Sequence, residues 1–272
     1  MQVDRNDVHG VRVLRLGGRL DVSGAAAVLK AVPSRGDVEP KAVVFDLADL
    51  VAPVEPHLMM IFAAAQRRIG RWPEREVCLA GISAPVLRDL RQLDIDRFVT
   101  LDTTVLGALE QIRAGRNAVR RTHCMVPVPS SPGRARHCVD ELLASAPEDV
   151  RGDAELVASE LATNVLRHVR EPFTLSLALT QDELLVAVTD ADAHIPTVGP
   201  FTLDAEGGRG LTLVENLSTS WGVRPIYRGG KTVWSRIATS ARALRRGLSG
   251  RRSTTSTGSG ARGPECSSIR GG

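Results

Sequence analysis

Glu160, Asn164 and His168 stand four residues apart in the run Glu160-Leu-Ala-Thr-Asn164-Val-Leu-Arg-His168. Positions four apart on a helix lie one turn above each other, so this spacing stacks a carboxylate, an amide and an imidazole on one polar stripe. Leu161, Val165 and Val169 form an adjacent apolar row, which gives the same helix a core-facing side. A carboxylate base one turn from an amide oxygen suits a site that holds a metal ion and activates a hydroxyl. A solvated helix face carries the same spacing, so the residues downstream decide between the two.

Three features lie downstream, in order. Asp190 closes the apolar run Leu184-Leu-Val-Ala-Val-Thr-Asp190, where a carboxylate can accept a hydrogen bond from an exocyclic amine such as that of adenine. Gly207-Gly208-Arg209-Gly210-Leu211 then opens a helix. Glycines ahead of a helix N-terminus let backbone N–H groups approach phosphate oxygens, and the helix dipole favours the negative charge. Finally, Gly230-Lys231-Thr232 sets a hydroxyl at the start of the last strand, in reach of a base beside Asp190. The upstream glycines of a Walker loop are missing from this last motif, and a strand rather than a helix comes after it.

Residues 1–114 alternate strand-like and helix-like segments. Val8–Leu16, Lys41–Leu47 and Val77–Ala80 read as strands; Ser23–Val32, capped by Ser23, and Pro56–Arg68, Ala84–Leu93 and Thr104–Ile112 read as helices. Such alternation predicts a sheet covered by helices. A polar connector, residues 114–122, leads to a second unit over 123–239. There a short strand near Cys124–Val128 and a helix near Gly133–Ala144 precede the long helix, which begins near Pro147-Glu148-Asp149. Strands Phe173–Thr180, Glu183–Thr189, Trp221–Tyr227 and Thr232–Ile237 and a helix at Gly210–Leu217 complete the unit. Residues 240–272 are rich in Arg, Ser, Thr and Gly, a composition that predicts a disordered basic tail.

The net charge of +4 is unevenly placed. Seven Arg and one Glu from Ala241 onward give that segment +6, which leaves −2 for residues 1–240. The folded part therefore carries no signal for nucleic acid. No run is long enough for a bilayer span and the N-terminus lacks a secretory pattern, so a cytoplasmic protein is expected. Cys78, Cys124, Cys138 and Cys266 are scattered as in a reducing compartment. The pairs His123-Cys124 and His137-Cys138 lack the Cys-x-x-Cys clip of a zinc site.

Taken together and in this order, Glu160-Leu-Ala-Thr-Asn164, Asp190, Gly208-Arg209-Gly210-Leu211, Trp221-Gly-Val and Gly230-Lys-Thr-Val-Trp234 resemble the ATP-binding domain of the GHKL superfamily. The likeness is to anti-sigma factor serine kinases in particular. It implies an α/β sandwich of the Bergerat type, with ATP and Mg²⁺ as cofactors. It also implies Asn164 as the Mg²⁺ ligand, Glu160 as general base, and His168 as a further nucleotide-site residue. By the same likeness Asp190 and Thr232 contact adenine, and Gly208, Arg209, Gly210 and Leu211 line the phosphates. One motif departs from the family, which continues Asp-x-Gly-x-Gly where this chain reads Asp190-Ala191-Asp192-Ala193-His194. The change removes backbone freedom and adds a negative charge beside the nucleotide.

The first unit resembles a STAS domain, the fold of anti-sigma factor antagonists, through Phe45-Asp-Leu-Ala-Asp-Leu50. Where those antagonists carry a phosphorylated serine, this chain reads Val54-Glu55-Pro56-His57, without a hydroxyl. The fold expected is thus a two-domain α+β and α/β chain with a degenerate phosphoacceptor site in its first half. The function implied is transfer of the ATP γ-phosphate to a serine of an antagonist partner in a partner-switching pathway. A sigma factor as second partner and a homodimer are compatible with the likeness, and neither nucleic acid nor membrane is expected. Two alternatives belong to other classes: a nucleotide-sensing module that switches partners without transfer, and a first half that acts as an internal decoy.

Overall fold

The computed structural model describes residues 1–194, 209–226 and 229–240. Its first sheet is ordered β1-β2-β3-β4-β5, from β1 (Gln2–Val8), β2 (Val11–Gly17), β3 (Ala42–Asp46), β4 (Glu76–Ala80) and β5 (Thr100–Leu101). β1 and β2 form an antiparallel hairpin, and β2 to β5 run parallel. Parallel neighbours need crossovers, supplied here by α1 (Val22–Ala31), α2 (Pro56–Ile69) and α3 (Ala84–Gln92). One sheet face buries Leu14, Leu16, Val43, Phe45 and Leu79 under these helices. The other buries Val11, Val44 and Cys78 against Ala108 and Ile112 of α4 (Val105–Arg116). Burial on both faces explains why Ala42-Val-Val-Phe45 is a continuous apolar run rather than an alternating one.

Three details differ from the sequence reading. β1 is an added strand, polar and exposed along most of its length, so no apolar pattern marks it. Asp21, not Ser23, caps α1: its carboxylate accepts from the Gly24 amide at 2.6 Å. The connector proposed over 114–122 is mostly ordered, because α4 runs to Arg116 and β6 begins at Val119, leaving only Asn117 and Ala118 between them.

The second sheet is ordered β6-β7-β8-β10-β9, all neighbours antiparallel, from β6 (Val119–Met125), β7 (Phe173–Leu179), β8 (Glu183–Asp190), β9 (Ser220–Pro225) and β10 (Lys231–Ala238). α5 (Ser131–Leu142), α6 (Glu148–His168) and α7 (Arg209–Leu217) cover one face. α6 buries Ala154, Val157, Ala158, Leu161, Ala162 and Val165 at helical spacing, so the apolar row fixes which way its polar stripe points. Glu148 and Asp149 sit at its positive end and Arg167 and His168 at its negative end, which suits the helix dipole.

The opposite face of this sheet meets the first half of the chain. Trp72 packs with Ala178, Leu185, Ala187 and Trp234, its ring centroid 5.7 Å from that of Trp234. Arg224 of β9 reaches across, donating to the Phe98 carbonyl at 3.0 Å and the Thr100 hydroxyl at 2.8 Å. Its guanidinium lies 4.4 Å from the centre of the Trp72 ring. The Thr100 hydroxyl in turn donates to Glu76. Burial pulls the Arg224 guanidinium down to about 10, still fully charged at neutral pH. Arg224→Ala is therefore expected to remove two charge-assisted hydrogen bonds and lower stability by about 2–4 kcal/mol. Scanning calorimetry should show one unfolding transition in the parent and two in the variant, as the halves lose their joint.

Candidate nucleotide site

α6 brings Glu160 and Asn164 to the start of α7. A Cβ built on Gly210 would stand 2.5 Å from Glu160 Oε2 and 3.8 Å from Asn164 Oδ1, so both side chains reach the first turn of α7, and a larger residue there would displace the Glu160 carboxylate. Both side chains are half-buried. The Asn164 Nδ2 atom is buried without a hydrogen-bond partner among the described residues. Leu211 instead points into the core, 5% exposed, and anchors the first turn of α7 against α6 and the sheet. His168 ends α6 on the exposed surface, two turns beyond Glu160 and roughly 12 Å along the axis. It shares the stripe but not the depth of the other two. Gly208 lies outside the described residues, as does the Arg209 side chain; the Arg209 backbone is the first residue of α7.

Asp190 ends β8 on the same face as Leu184, Val186 and Val188, all buried under the helices. Strand pairing sets Lys231 directly opposite Asp190, and Thr232 opposite Thr189. Successive residues point to opposite faces, so Lys231 and not Thr232 is the neighbour of Asp190. Thr232, expected to reach a base held beside Asp190, lies on the opposite face from that carboxylate: its hydroxyl is 2.8 Å from that of Thr189, with Trp234 on the joint side of the sheet. Lys231 Nζ donates to Asp190 Oδ1 at 3.0 Å, to Asp192 Oδ2 at 2.9 Å and to the Asp192 carbonyl at 3.1 Å. The Lys231 and Asp190 side chains are only 7% and 3% exposed, so this is an interior ion pair. Asp190 Oδ1 also accepts from the Asp192 amide at 2.9 Å. Gly230, at φ +94°, lies so close to the Asp190 carbonyl that no side chain fits there.

Burial pushes the Asp190 carboxyl up, with Lys231 opposing. Asp192, accepting from the His194 amide and from Lys231, is held below the ordinary carboxylate value. Its pairing therefore contributes stability above the unfolded-state value and loses it as pH falls through the folded one, while Asp190 contributes with the opposite sign. Carboxyl-carbon NMR titration should find Asp190 above, and Asp192 below, the usual aspartate range of about 3.9. The reverse order would contradict the clasp.

Glu55 opens α2 without capping it and lies 3.4 Å from His57, both side chains well exposed. A carboxylate is favoured at a helix N-terminus on electrostatic grounds alone. His123 and Cys124 lie on β6 and His137 and Cys138 on α5, with Cys124 exposed rather than buried. No helix among the described residues is long and apolar enough to cross a membrane.

Residues 128–237 match the model of the histidine kinase-like ATPase domain. Several solved structures are similar to parts of the chain. An anti-sigma factor antagonist from Mycobacterium paratuberculosis is 24% identical, covering 41% of this chain and 93% of that one, with a TM-score of 0.36. The antagonist SpoIIAA in its unphosphorylated form is 14% identical, covering 41% and 96%, with a TM-score of 0.34. A chain of the SiaB–SiaC complex from Pseudomonas aeruginosa is 14% identical, covering 50% and 98%, with a TM-score of 0.35. No curated protein sequence matches the chain. Residues 128–237, in which α6, α7 and the end of β8 meet in one place, are thus similar to the histidine kinase-like ATPase domain.

Proposed function

We propose that the chain is an ATP-dependent partner-switching regulator whose second unit, residues 123–239, transfers the γ-phosphate of ATP to a serine of an antagonist protein. The observation that carries this reading is the convergence of Glu160 and Asn164 on Gly210 at the start of α7. A base, an oxygen ligand and a helix N-terminus suited to phosphate are the three parts such a transfer needs in one place. Asn164 would hold Mg²⁺ through its side-chain oxygen, which lies on the same side of α6 as Glu160 and near Gly210. The bound ion supplies charge neutralisation on the phosphates. Glu160 accepts the proton of the serine hydroxyl as the new O–P bond forms and the bond to ADP breaks. Asp190 receives the exocyclic amine of adenine.

The first unit, residues 1–114, serves as a fixed docking element. It touches the sheet face opposite α6 and α7, and Trp72 lies just past the far end of α2 from Glu55. This placement supports a scaffold rather than an internal decoy occupying the partner site of the second unit. A second reading, nucleotide sensing without transfer, is favoured by the unusual Asp190-Ala-Asp192 turn and its lysine.

Calorimetric titration of the full chain with Mg-ATP, beside Asn164→Ala, tests the site: binding abolished by the substitution is expected. Glu160→Gln should bind Mg-ATP as the parent does, yet slow phosphate transfer to an antagonist protein by about 10²–10⁴-fold. Equal loss of binding and transfer would remove Glu160 from the base role, and binding without any transfer by the parent would leave the sensing reading.

A further inference from the structure

Lys231 has three ammonium protons, and three acceptors take them: Asp190 Oδ1, Asp192 Oδ2 and the Asp192 carbonyl oxygen. The ammonium therefore has nothing left to offer a ligand. Its effect on Asp190 is more specific than neutralisation. Oδ1 is occupied twice, by Lys231 and by the Asp192 amide. Among the described residues no donor reaches Oδ2. The buried carboxylate, which as a free group would present two oxygens side by side, presents one.

That asymmetry matters for reading a purine. The edge of guanine carries two adjacent donors, N1–H and the 2-amine, which a carboxylate satisfies with both oxygens. The corresponding edge of adenine carries one donor, the 6-amine, beside an unprotonated N1. A single open oxygen suits adenine and leaves one guanine donor unpaired, and an unpaired buried donor is costly.

We propose that Lys231 is the positioning residue that sets base selectivity at this site, by filling Asp190 Oδ1 so that only one acceptor oxygen faces the nucleobase. The inference rests on the assignment of Asp190 to the adenine base. Asp192 is part of the same device: its carboxylate and carbonyl hold the lysine against Asp190, and the turn needs no glycine because an ion pair fixes it. Gly230 completes the device by letting the start of β10 lie against the Asp190 backbone, which delivers Lys231 to its place.

The test is the affinity of the full chain for Mg-ATP, Mg-GTP and the Mg-triphosphate of purine riboside, which lacks the 6-amine, in the parent and in Lys231→Thr. The parent should bind ATP at least about 10-fold more tightly than either analogue, the worth of one hydrogen bond to a charged acceptor. In Lys231→Thr, Oδ1 keeps only the Asp192 amide and regains one open lone pair, which should raise GTP affinity and shrink the ATP:GTP ratio by about 10-fold, an effect that general loosening of the fold would not produce. A folded variant with an unchanged ratio overturns the proposal while leaving the nucleotide site intact. Should the variant not fold, the parent decides alone, since equal affinity for ATP and GTP overturns the role given to Lys231. Absence of binding by any of the three nucleotides, to parent or variant, overturns both the base site and this inference.

Discussion

Arg224 is the constraint on which the arrangement of the whole molecule rests. A guanidinium taken out of water is costly unless its donors are met, and here they are met by a carbonyl and a hydroxyl of the other half. Because the planar group is also stacked on Trp72, its orientation is fixed in three directions at once. β9 and β5 are both edge strands, and the arginine side chain links one to the residues at the other. The open face of the second sheet is covered by the chain's own first half, and the helices and candidate site are left on the other side.

Much of this was legible in the sequence. The apolar row Leu161, Val165 and Val169 is buried as its spacing requires, and Glu160 and Asn164 lie on the stripe beside it. Element types in both halves agree with the periodicity, because buried parallel strands and amphipathic helices leave strong local patterns. β1 was not legible, since a polar edge strand owes its existence to its partner rather than to its own residues. The face that Thr232 occupies follows from parity. Val233 and Ile237 are the core residues of β10, so a two-residue period already assigns Lys231 to their face and Thr232 to the other. The pairing of β8 with β10 joins strands separated by α7 and β9, and such a register is set by tertiary packing. Arg224 and Trp72 carry no sequence signal at all, because nothing local tells an arginine on a strand that it will be buried by a distant tryptophan.

The two faces of β10 illustrate how one strand serves two purposes. Its core-facing residues include Lys231, paired with Asp190 at one end, and meet the helix layer further along, while the alternate face contributes Trp234 to the joint. The pleat keeps these duties apart, so the ion pair at Asp190 and adhesion at Trp72 do not compete for the same side chains.

The joint also makes the molecule its own optical reporter. The chain has three tryptophans, and two of them, Trp72 and Trp234, face each other across the boundary between the halves. Trp221 packs against the core of the second half. Intrinsic emission is thus weighted toward the boundary rather than toward the interior of either half. Separation of the sheets would change its colour and intensity while each sheet remained folded, and no attached dye would be required to watch it.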